Sequence, residues 1–130
     1  MEDVKQQYLQ RAPRIGIEPE MLMQSGIDIA ASPCVFRFKD GSTKQLEILS
    51  IVNISTSGIK LTMVNREGLA LSDTQLHLVM KAPAVGKEYV LRGQVCWSEN
   101  LTGGNSWIGI ELKARPDVLH LFTALTGQKP

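Results

Sequence analysis

A small antiparallel barrel of six strands, capped by a C-terminal helix, is the fold class this sequence predicts, and three observations predict it. Apolar and polar residues alternate in short runs from Cys34 onward, clusters rich in Gly, Asn and Pro separate those runs, and the stretch from Pro116 changes to a spacing of roughly three. Short strands at this spacing favour a closed or nearly closed all-β architecture, because closure removes edge strands. With 130 residues, of which 43% are hydrophobic, the chain fits one core and leaves no room for a second. We therefore divide it into an N-terminal arm, residues 1–30, and a barrel with its helix, residues 31–130.

In the arm, Val4, Tyr8 and Leu9 could share one face of a short helix, but Pro13, Gly16 and Pro19 end regular structure soon after. Arg11 and Arg14 flank Pro13, which disfavours the α conformation at Ala12, so the two guanidinium groups sit in an irregular segment. The barrel opens with Cys34, Phe36 and Phe38 alternating against Val35, Arg37 and Lys39, and Asp40-Gly41 follows as a hairpin signal. The partner strand runs from Gln45 to Ile54. Its two faces, Leu46/Ile48/Val52/Ile54 and Leu49/Ile51, are both apolar, which places it between the core and a second layer.

Asn53-Ile54-Ser55-Thr56-Ser57-Gly58 then makes a hairpin corner. Asn and Ser side chains compete for backbone hydrogen bonds there, and Gly58 can take positive φ or let another group approach the backbone. Beyond it Ile59, Leu61 and Met63 alternate with Lys60 and Thr62, a polar link runs through Asn65-Arg66-Glu67-Gly68, and a strand covers Leu76 to Met80 before Pro83 and Gly86. In the last hairpin Tyr89, Leu91, Gly93, Val95 and Trp97 share a face, Asn100 to Asn105 turn the chain, and Trp107 to Leu112 return it. The segment Pro116 to Gly127 carries Pro and Asp in its first turn and Gly at its end, with Leu119, Phe122 and Leu125 as its apolar stripe; this is a helix.

Several function classes find no support in this pattern. Fourteen basic and thirteen acidic residues leave a formal charge of +1, which lacks the broad basic field of a DNA or RNA binder, so any anion must be held by a few local residues. No run reaches the roughly 20 apolar residues of a membrane span, and the first residues lack the basic-then-apolar order of a secretory signal; the expectation is a cytoplasmic protein without membrane insertion. Cys34 and Cys96 lie in strand-like apolar runs with no C-x-x-C spacing, which reads as two buried free thiols. His77 and His120 have no carboxylate or cysteine spaced to join them in a metal site. No nucleophile elbow, phosphate loop, H-E-x-x-H or paired carboxylates are visible, so the chain reads as a non-enzyme with no cofactor. Trp97 and Trp107 read as core or barrel-rim aromatics, with base stacking as the alternative.

The order of these features resembles the PilZ domains of bacteria, six-stranded barrels with an R-x-x-x-R motif on an N-terminal arm, a [D/N]-x-S-x-x-G corner, a G-x-V-x-W strand and a final G-I/V-x-F/L element. The counterparts here are Arg14, the corner Asn53-Ile54-Ser55-Thr56-Ser57-Gly58, Gly93-Gln94-Val95-Cys96-Trp97, and Ile108-Gly109-Ile110-Glu111-Leu112. The resemblance spans roughly residues 10–126 and implies binding of the second messenger cyclic di-GMP (c-di-GMP) by Arg11, Arg14, Asn53, Ser55 and Gly58, with Gln10, Trp107 and Gly109 as further candidates. Those residue types suit the ligand, since guanidinium forks match phosphates and guanine O6/N7, and short polar groups with bare backbone suit a flat dinucleotide. One departure is plain. The residue four before Arg14 is Gln10, so the pattern is R-x-x-R, with Arg11 the available substitute. The resemblance thus implies a receptor that reorders its arm on ligand binding and signals to a protein partner. The alternative is a PilZ-like interaction module of a motility, pilus or secretion system that binds no c-di-GMP.

Overall fold

The computed structural model describes residues 13–130. Eight strands form one antiparallel sheet in the order β1-β4-β5-β8-β7-β6-β2-β3: β1 (Ile15–Gly16), β2 (Cys34–Arg37), β3 (Thr43–Leu46), β4 (Ile48–Ile54), β5 (Gly58–Val64), β6 (Gln75–Ala82), β7 (Lys87–Leu101) and β8 (Asn105–Leu112). Two helices accompany it, α1 (Pro19–Ser25) and α2 (Pro116–Thr126). The chain passes from β3 at one end of the sheet into β4 near the other through Glu47 alone, whose carbonyl accepts from Val64 N at 2.9 Å. The sheet therefore curls around a single apolar interior, in which Phe36, Ile54, Ile59, Leu61, Met63, Leu78, Met80, Leu91, Ile108 and Ile110 are buried.

The strand count exceeds the expected six for two reasons. The Gln45–Ile54 run divides at Glu47, its first part pairing with β2 and its second with β5. The arm also contributes a strand: Ile15 pairs with Ile54, Gly16 with Asn53, and Ile17 N donates to Val52 O at 3.0 Å. Pro19, expected to end regular structure, instead begins α1, since a proline at the first helical position loses no intrahelical bond. A left-handed Gly26 at φ 75° closes that helix. The short helix expected around Val4, Tyr8 and Leu9 lies outside the described residues.

Both faces of β4 were expected to be buried, against a core and a second layer. Among the described residues, no second layer covers it. The register against β5 slips between Ile48 and Ser50 and again between Ile51 and Asn53, so Ile48, Ile51 and Ile54, three residues apart, all face the core opposite Met63, Leu61 and Ile59. Leu49 is left 44% exposed, and Ser50 and Asn53 turn outward beside Thr62 and Lys60.

A similar irregularity in β7 moves Trp97. Val95 pairs with Ile110 and Trp97 with Gly109, so Cys96 is the extra residue, and Trp97 leaves the core face that Tyr89, Leu91 and Val95 occupy. The same bulge exposes Cys96, contrary to the expectation of two buried thiols. Cys34 is buried as expected, and burial pushes its thiol up to about 12, so it stays protonated. In α2 Phe122 and Leu125 are buried as expected and Val118 and Leu121 widen the stripe, because the helix packs against both β7 and α1; of the expected stripe only Leu119, 39% exposed, turns outward. Asp117 in its first turn accepts from Val90 N at 2.6 Å, which pins the helix start to β7.

Candidate functional site

The outer face of β1, β4, β5, β8 and β7 gathers the unusual polar and aromatic side chains. Alternation along β5 sends Ile59, Leu61 and Met63 inward and Gly58, Lys60 and Thr62 outward; along β8 it sends Ile108, Ile110 and Leu112 inward and Trp107, Gly109 and Glu111 outward. Antiparallel pairing aligns these outward positions into one row: Gly16 beside Asn53, Asn53 beside Lys60, Lys60 beside Gly109, and Gly109 beside Trp97.

Arg14 anchors one end of the row. Its Nη1 donates to Asn53 Oδ1 at 3.0 Å, and a Cβ added to Gly58 would lie 3.0 Å from its Nη2 and 2.9 Å from Ile110 O. Gly58 is thus required for close approach and not for positive φ, since its φ lies outside the left-handed region. Arg14 itself is exposed, and among the described residues its guanidinium keeps four N–H groups beyond the single bond to Asn53. Among the described residues, Asn53 Nδ2 has no acceptor.

Ser55, by contrast, is 2% exposed and ties the corner together. Its Oγ lies 3.4 Å from Gly58 O and accepts from Ser57 N at 3.2 Å, while its own N–H donates to Gly58 O at 2.9 Å. The hydroxyl is occupied by the turn it sits in.

At the other end of the row, the Trp97 indole lies so close over Gly109 that a Cβ there would collide with the ring. Lys60 Nζ sits 4.2 Å from the Trp107 ring centroid and 5.5 Å from that of Trp97, a cation held over two π systems.

The sequence profile of the PilZ domain family matches residues 29–126. The chain belongs to the PilZ domain family. Two solved structures resemble this PilZ domain. One is MrkH, described as a c-di-GMP-dependent transcription regulatory factor, at 18% identity and a TM-score of 0.53 over 92% of this chain. The other is the complex of K. pneumonia MrkH with c-di-GMP, at 20% identity and a TM-score of 0.47 over 91% of this chain. The chain spans about half of these proteins, 52% and 49% of their lengths, and at such identities the first likeness concerns the fold alone. No curated protein matches the chain.

Of the residues the PilZ resemblance singled out, Arg14, Asn53 and Gly58 meet at one end of the outer face, Trp107 and Gly109 stand at the other, and Ser55 is turned into its corner. Gln10 and Arg11 lie outside the described residues. Two residues of this outer face, Lys60 and Trp97, were not among the candidates. Lys60 was legible as an outward position from the Ile59/Leu61/Met63 alternation, but nothing local marked it as central. Trp97 was read as a core or barrel-rim aromatic, with base stacking as the alternative, and the bulge at Cys96 turns it to the outer face. Among the described residues, no cluster of His, Cys, Asp and Glu could hold a metal ion, and no helix is long and apolar enough to cross a membrane.

Proposed function

We propose that this PilZ domain is a receptor for c-di-GMP, binding it on the outer face between Arg14 and the tryptophans. The observation that carries this reading is the seat of Arg14: a guanidinium held by Asn53 over the bare backbone of Gly58, with most of its donors unspent. Such a fork matches a phosphate or the O6/N7 edge of guanine, and the outward row continues from Asn53 to Lys60 beside it. Membership of the PilZ family and the likeness to MrkH, described as c-di-GMP-dependent, support the same ligand.

The residues from Arg14 to Ile17 are paired to β4 or bonded to Asn53. The reading includes a reordering of the N-terminal arm on binding, with Arg11 as the second arginine of the grip. In this reading the protein is a cytoplasmic, non-catalytic adaptor that passes the reordering to a protein partner. The second reading, a PilZ-like interaction module that binds no c-di-GMP, is favoured by one observation, the glutamine at position 10 where the family carries arginine.

Calorimetric titration with c-di-GMP, with GTP as control, separates the two. Saturable heat with c-di-GMP and none with GTP is expected. Absence of heat up to high micromolar c-di-GMP would overturn the receptor reading and leave the second.

A further inference from the structure

The outer surface over β2, β6 and the first half of β7 carries a separate set of cations, away from the Asn53 corner. Alternation turns Cys34 and Phe36 inward on β2, Leu76 and Leu78 on β6, and Leu91 on β7, and so turns Arg37, His77 and Arg92 outward. Register gathers them: Val35 pairs with His77 and His77 with Arg92, while Arg37 pairs with Gln75, two residues from His77. Lys113, just past β8, joins this row because its N–H donates to Arg92 O at 2.8 Å. All four residues are exposed, and together with Val35 and Leu76 they line one concavity of about 380 Å³.

Among the described residues, no Asp or Glu lines that concavity. Glu111 stands beside Gln94, on the next outward pair along β7, and the ion pair of Lys44 with Glu67 lies on β3 and the link after β5. Like charges on adjacent strands repel, so the arrangement works against the fold unless an anion shares it. The whole chain has a formal charge of only +1, so three permanent cations and a histidine in one concavity are a local feature and not the overflow of a basic protein.

The cluster's size selects the class of anion. Nucleic acid presents a long, regular row of phosphates and is met by a broad basic field, which four side chains in one concavity do not make. Carboxylates spaced along a polypeptide fit it better. Arg37 and Arg92 offer forks for bidentate pairing, Lys113 offers a point charge, and Val35 and Leu76 give apolar carbon for the side chains between the acids.

We propose that this concavity is a docking surface for an acidic, extended segment of a partner protein, whose carboxylates pair with Arg37, Arg92 and Lys113 beside His77. The surface does not depend on the receptor reading, because none of its residues belongs to the Arg14 seat.

The test is fluorescence anisotropy on the intact protein at physiological salt. The probes are a short labelled peptide of Glu, Asp and Leu, the same peptide with Gln and Asn in place of the acids, and a labelled DNA duplex of similar charge. The variants are Arg37→Gln, Arg92→Gln and, as a control of equal charge change outside the concavity, Arg66→Gln. All three positions are exposed, so the melting temperatures should stay at the natural value. The acidic peptide should bind saturably and the neutral one should not. Arg37→Gln and Arg92→Gln should each weaken it about fivefold, the upper range for an exposed ion pair, and Arg66→Gln by less than about twofold. Calorimetry with c-di-GMP should give the same affinity in Arg37→Gln as in the natural sequence. No saturable binding of the acidic peptide, equal binding of the neutral one, or an equal loss in Arg66→Gln would each overturn the docking surface. Duplex DNA bound more tightly than the peptide, with the same dependence on Arg92, would overturn it in favour of a nucleic-acid surface. Peptide binding that depends on Arg37 and Arg92 in a protein that binds no c-di-GMP would support the docking surface and overturn the receptor reading alone.

Discussion

Strand β5 runs between two asparagine corners, Asn53 to Gly58 before it and Asn65 to Gly68 after it, and the two use the same residue types to opposite ends. Asn65 is 3% exposed, and its amide is spent on the fold: Nδ2 donates to Leu69 O and to Ser106 Oγ, each at 3.0 Å, and Oδ1 accepts from Leu69 N at 2.9 Å. Ser106 Oγ passes the network on to Asn100 Oδ1 at 2.8 Å. Asn53 instead faces outward and makes one side-chain bond, to the exposed guanidinium of Arg14. A buried amide with its bonds made holds a turn, whereas a half-exposed amide with a donor to spare is available to a ligand. What the two corners teach is that hydrogen-bond accounting, and not residue type, separates an asparagine spent on its turn from one left with a donor to spare.

The largest effect that would break this contrast is on stability. Asn65→Ala removes three bonds and strands buried groups on Leu69 and Ser106, so unfolding free energy should fall by about 3 kcal/mol in a denaturant titration, with c-di-GMP affinity of the folded protein unchanged. A fall of a few tenths would mean that water replaces the amide freely. Arg14→Ala, at the other corner, should reduce c-di-GMP binding by about 2 kcal/mol with stability little altered, and lysine should restore only part of it because a point charge cannot reproduce the fork. Equal affinity in the alanine variant would move the ligand away from this corner.

Gly58→Ala sharpens the comparison, because its Cβ would press on both Ile110 O and the Arg14 guanidinium. Stability and affinity should each fall by about 1 kcal/mol, since strain and displacement of Arg14 arise from one contact. Within the same corner, Ser55→Ala should lower stability by about 1 kcal/mol and leave affinity nearly unchanged, as its hydroxyl serves the turn. The opposite pattern, lost affinity at constant melting temperature, would show that Ser55 turns to the ligand.

Much of the fold was legible because period-two alternation records which side chains a sheet can bury. The runs at Cys34–Arg37, Gly58–Val64 and Gln75–Ala82 sit close to where alternation placed them, and Asp40-Gly41 turns its hairpin with Gly41 at φ 87° and Ser42 donating to the Asp40 carboxylate. Those hydrogen bonds hold the Asp40 carboxyl below the usual carboxylate range. The corner at Asn53 was legible for the same local reason. The arm was harder to read, because β1 consists of two residues whose strand character comes from β4 and not from their own sequence.

The sequence by itself determined an all-β domain with a C-terminal helix, its main turns, and the corner that seats Arg14, because each of these follows from interactions among residues close in the chain. Only the tertiary structure decided which face each residue takes after a bulge. One extra residue at Leu49, Val52 or Cys96 reverses the alternation, and no local pattern announces it, since a bulge arises from the pairing of two strands. The bulge at Cys96 turned Trp97 toward Gly109, whereas the two bulges of β4 cancel beyond Val52: they turn Ile51 into the core and leave Asn53 outward beside Lys60, where alternation from Ile48 already placed it.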